Sequence, residues 1–64
     1  MLIMKKEWEE LERIEYKKRT WNSKFIREQE IWSEISMQIN SSKGKEQKYW
    51  GRVMSLFNKV YRNN

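Results

Sequence analysis

No proline occurs anywhere in the 64 residues, and no glycine occurs before Gly44. The two residue types that most readily stop a helix are therefore missing from the first two thirds of the chain. Apolar residues recur there at spacings of three and four, the period of a helix with one buried face. Met4, Trp8, Leu11 and Ile14 form one such stripe, set among good helix formers. Phe25, Ile26, Ile31, Trp32, Ile35 and Ile39 form a second. In the last third, Tyr49, Trp50, Val53, Met54, Phe57, Val60 and Tyr61 share one face of a helix. The chain reads as all-α.

Two clusters of cap and turn residues divide it. Thr20-Trp-Asn-Ser23 joins mediocre helix formers, three of which are able to cap a helix N-terminus. Asn40-Ser-Ser-Lys-Gly44 is a denser cluster of the same kind, with Ser42 the natural N-cap for the third helix. The expected architecture is a single domain over residues 1–64, a small three-helix bundle with helices at about 3–19, 23–39 and 43–62. An alternative removes the first break. Met4, Glu7, Leu11, Ile14, Lys18, Trp21, Phe25, Glu28, Trp32, Ile35 and Ile39 alternate spacings of three and four. That is a passable heptad seam for one long helix over 3–40, folded against helix 43–62 as an antiparallel hairpin and dimeric.

A chain of this length buries only roughly 60% of its unfolded surface. It has no cysteine, so its four Trp, three Tyr and two Phe must supply much of the core. Self-association is the other usual remedy, which leaves a homodimer open. His and Asp are absent as well as Cys, which removes the commonest general base, the best nucleophile and most transition-metal ligand sets. The two glycines form no phosphate-cradling loop. The expectation is a non-enzyme without cofactor or metal. Met1-Leu-Ile-Met4 is too short an apolar run for a signal-peptide core or a membrane span. The expected setting is cytoplasm or nucleoid.

Charge is divided unevenly. Residues 1–40 hold eight bases and eight acids, whereas residues 41–64 hold six bases and only Glu46. The whole net charge of +5 therefore lies on the last segment. Lys45, Lys48, Arg52, Ser55, Lys59 and Arg62 succeed one another at spacings of three and four, opposite the apolar face. A solvated face usually mixes signs, and this one does not. Such a strip suits a polyanion, because cationic side chains release condensed counterions from a nucleic acid. The expected contacts are Lys43, Lys45, Gln47, Lys48, Arg52, Lys59 and Arg62, with Arg52 and Gln47 able to hydrogen-bond base edges. A membrane-surface or calmodulin-like use of the same helix ranks last, since the other helices give its apolar face a place to go.

Trp32-Ser-Glu-Ile-Ser36, the turn at Asn40–Gly44 and Lys45-Glu-Gln-Lys-Tyr-Trp50 resemble the second half of a Myb/SANT-type repeat. The resemblance covers about Ile31 to Tyr61. It implies a DNA-binding helix-turn-helix with a core of Trp8, Trp32 and Trp50, and Lys43 to Lys48 at the DNA. DNA is thereby favoured over RNA, and a small regulatory protein is the implied role. Independently of it, Trp32 and Trp50 are expected as core because both lie on apolar stripes. Trp8 and Trp21 are candidate anchors for a protein partner, exposed Trp being a frequent interface residue. The second functional expectation is therefore a helical interaction module, or a small inhibitor docking on a larger protein. Charge alternation such as Glu9–Arg13 reads as ordinary helix-surface pairing.

Overall fold

Lys5–Lys18 forms α1, with Glu7 in its first turn and Lys17 and Lys18 in its last, as the helix dipole favours. It is succeeded by α2 over Lys24–Ser41 and α3 over Lys45–Tyr61, in a computed structural model that describes residues 5–19 and 23–62. Each of the three helices packs on the other two. Pairs run in the same order along α1 and α3, Glu7 meeting Arg52 and Glu15 meeting Tyr61. They run in opposite order along α2 and α3, Glu28 meeting Arg62 and Ile39 meeting Gln47. The topology is up-down-up.

This bears out the three-helix expectation and sets aside the continuous hairpin. A straight helix over residues 3–40 would be about 55 Å long, whereas the longest dimension of the fold is 35 Å. The break comes where it was expected, and Ser23 caps α2 by accepting from the Ile26 amide at 3.4 Å. Met4 and Trp21, both placed on stripes by sequence, lie outside the described residues.

The second turn departs from expectation. Ser42 ends α2 rather than starting α3: its amide donates to the Ile39 carbonyl, and α2 runs two residues past the expected end. The N-cap of α3 is Gly44, at φ 64° and ψ −131°, without a side-chain cap bond. That backbone region is open to glycine and strained for any residue with a Cβ. The chain reverses within three residues because Gly44 can take that conformation.

The core consists of Leu11 and Ile14 from α1, Ile31 and Ile35 from α2, and Val53, Leu56 and Phe57 from α3. Burying each such side chain stabilises by about 1.5–3 kcal/mol. It is an aliphatic core with one central ring, stacked on Tyr61 at 4.8 Å between centroids. The expected tryptophan core is corrected: Trp8 and Trp32 are exposed, and Trp50 only flanks the cluster. Phe25 and Ile26, expected on the inner stripe of α2, also face outward, as does Val60 on α3. A three-helix bundle admits only a narrow sector of each helix to its axis, and Ile31, Ile35, Val53 and Phe57 fill it.

Polar stitches hold the rim. Tyr49 Oη lies 3.2 Å from the Lys6 carbonyl and 3.1 Å from Glu10 Oε1, tying α3 to the start of α1. Tyr61 donates to Glu15 at the other end. Lys18 pairs with Glu30 at 3.7 Å between α1 and α2.

Candidate nucleic-acid interface

The six cations of residues 41–64 divide into two groups. Arg52 and Arg62 are committed across the bundle. Arg52 Nε donates to Glu7 Oε2 at 2.6 Å, and Arg62 Nε to Glu28 Oε2 at 3.3 Å. Glu7 is only 8% exposed, a buried carboxylate beneath a half-exposed guanidinium. The hydrogen bond from Arg52 holds its carboxyl below the ordinary value of 4.5, and burial works against that shift. Arg62 also lies over the rings of Trp32 and Phe57, at 5.9 and 5.5 Å from their centroids. These two arginines close seams between helices.

Lys43, Lys45, Lys48 and Lys59 form the second group. All four are exposed, and none makes an ion pair among the described residues. Lys45, Lys48 and Lys59 share the outer strip of α3 by their spacing, and Lys43 stands in the turn before it. The start of α3 adds a partial positive charge there, since Gly44 offers its first amides no side-chain acceptor. Glu46 is the only acid within this segment.

Gln47 does not stand ready for a base edge. Its Nε2 donates to the Ile39 carbonyl at 3.2 Å and so satisfies the C-terminus of α2. Its second N–H and its Oε1 stay available, but the bond to Ile39 fixes the amide at the C-terminus of α2 instead of leaving it to turn towards a base edge. Of the seven residues expected at a nucleic acid, four are uncommitted and three also hold the fold together.

Sequence reasoning missed Glu7, the acid that fixes Arg52. Its position on the inner seam of α1, beside Leu11 and Ile14, was the available signal: a carboxylate there needs a partner. Trp8 is exposed on α1, as an interface anchor requires, and Trp21 lies outside the described residues. An open cleft of about 460 Å³ is lined by Glu12, Glu15, Tyr16, Arg19, Arg27 and Tyr61. Arg19 covers the Tyr16 ring there at 4.2 Å. Among the described residues no cluster of His, Cys, Asp or Glu is placed to hold a metal ion, and no helix is long and apolar enough to cross a membrane.

Comparison with known proteins finds no matching family model, no matching curated protein and no matching solved structure. Fold and site define a small all-α bundle that carries its excess charge on α3 and the residues flanking it.

Proposed function

We propose that the protein binds nucleic acid, duplex DNA in preference to RNA, through Lys43, Lys45, Lys48 and Lys59 on the turn and outer strip of α3. One observation carries this reading: among the described residues the four lysines stay exposed and outside every ion pair, while Arg52 and Arg62, the other two cations of residues 41–64, are held by Glu7 and Glu28. Ordinary surfaces intersperse charges of both signs, and this strip does not. A helix joined to its predecessor by a short glycine-containing turn is also the layout of helix-turn-helix proteins, whose second helix enters the major groove. The sequence resemblance of Ile31–Tyr61 to Myb/SANT repeats points the same way, and with it a regulatory role inside the cell.

In this reading Arg52 and Arg62 stiffen the strip, and Arg52 can still offer its outer nitrogens to a phosphate. The test is the double reversal Lys45→Glu/Lys48→Glu, titrated against labelled duplex DNA at low salt beside the wild type. Both side chains are exposed, so helix content should be unchanged, and affinity should fall at least tenfold. Equal binding by the two proteins would refute the proposal.

A second reading has one observation of its own. Trp8 is nearly half exposed on α1 and lies outside the core cluster. As an anchor for a larger protein it would make Trp8→Ala lose partner binding while stability stays the same.

A further inference from the structure

Reading a base sequence in the major groove calls for side chains that aim two hydrogen bonds at one base edge, above all Arg, Asn and Gln. Residues 45–62 contain four of these, Gln47, Arg52, Asn58 and Arg62. Gln47 is fixed to the Ile39 carbonyl at the end of α2. Arg62 lies against Glu28 and the Trp32 ring, also on α2. Asn58 falls on the flank of Gln47, about 20° from it around the helix. Only Arg52 belongs to the lysine strip, and Glu7 draws its guanidinium sideways to α1, with the Tyr49 ring 6.0 Å away. A group that reaches the floor of a groove must extend straight out from its helix. Arg52 is held at the shoulder of α3, where the phosphates of a bordering strand run.

The strip itself offers the ammonium groups of Lys45, Lys48 and Lys59, with Lys43 in the turn before them. Each is a compact charge on a flexible four-carbon stem. Among the described residues no ion pair fixes any of them. A lysine so placed can turn to a guanine or to a phosphate, and the full negative charge of the phosphate is the stronger acceptor. Ser55, set among them, bonds to any base alike. Glu46, an acceptor for cytosine, stands about 100° around the helix from Lys45 and farther from Lys48.

We infer that α3 binds DNA without regard to base sequence, its lysines holding the phosphates of the strands that border the major groove. This rests on the nucleic-acid reading above and narrows it to the backbone. Groove shape then sets the preference for duplex DNA, because the B-form major groove admits a helix and the deep, narrow one of A-form RNA does not. Any regulatory effect follows from how much DNA is covered, not from a chosen site.

Repeated selection from a pool of random duplexes of one length tests this. The wild type should bind the most enriched duplexes and the unselected pool within about fivefold of each other, less than one good bidentate base contact gives. Gln47→Ala removes the amide best suited to adenine and should show the same small ratio. A larger preference for an enriched sequence overturns the inference and leaves the nucleic-acid reading standing. A preference in the wild type that Gln47→Ala abolishes overturns it and places the amide at a base. If the wild type binds no duplex at low salt, the proposed function fails and this inference fails with it.

Discussion

Glu7 and Arg52 show how one residue pair can serve both fold and surface. The carboxylate is buried at the start of α1 and is compensated by the guanidinium 2.6 Å away on α3. Removing the charge with Glu7→Gln should cost about 1 kcal/mol in urea unfolding, discounted from a fully buried charged hydrogen bond because Arg52 is half exposed. The folded carboxyl titrates below its ordinary 4.5, so this contribution is complete above that value and disappears as pH falls through the lowered one. The wild type should lose its advantage over Glu7→Gln on acidification, and a constant gap between them would contradict the assignment. At the other extreme stands Tyr49, whose hydroxyl is pushed from 10.0 to about 12 by burial and by the neighbouring Glu10. Burial and Glu15 raise Tyr61 in the same direction. A raised folded value favours the neutral phenol, so this stability is complete below pH 10 and drains away as pH climbs towards 12. Thermal melts from pH 9 upward should show the decline, and Tyr49→Phe should flatten part of it.

At the scale of elements, the two glycines behave oppositely although both belong to α3 or its cap. Gly51 lies inside the helix with open space where a Cβ would go. Gly51→Ala should stabilise by about 0.5–1 kcal/mol through helix propensity alone. Gly44→Ala also has space, but at φ +64° the new residue is strained. It should lose about 1–2 kcal/mol. Equilibrium unfolding of both variants checks the pair, and an equal effect of the two would contradict the cap. The helices themselves were legible in the sequence because breaker-free stretches and a three-four rhythm are local properties. Their facing was less so. Leu56 escaped the apolar stripe because it sits on the flank beside Arg52, a side that is covered only because α1 packs there. Trp32 and Phe25 were assigned inward because size and spacing suggested it. The core sector was instead taken by Ile31 and Ile35, which fit the narrow axis of three helices. Glu7, Glu28 and Gln47 find partners 45, 34 and 8 residues away. Helical periodicity cannot reveal pairs of that kind.

For the molecule as a whole, these long-range pairs change the meaning of the basic strip. Read along the chain, Lys45 to Arg62 looks like one continuous array of cations. Folded, it separates into arginines that clamp α3 to α1 and α2, and lysines that remain for a partner. The separation also tells which substitutions probe function. Arg52→Glu would set two acids against each other at Glu7 and damage the fold, whereas lysine reversals leave the bundle intact. The central claim concerns those lysines, and salt tests it most directly. Affinity for a duplex DNA should be measured by anisotropy over a series of salt concentrations. If three or four lysines each displace a counterion, log K should fall against log salt with a slope of about −3. The slope should shrink by about 2 in Lys45→Glu/Lys48→Glu. A flat dependence, or the same slope in both proteins, would contradict the account.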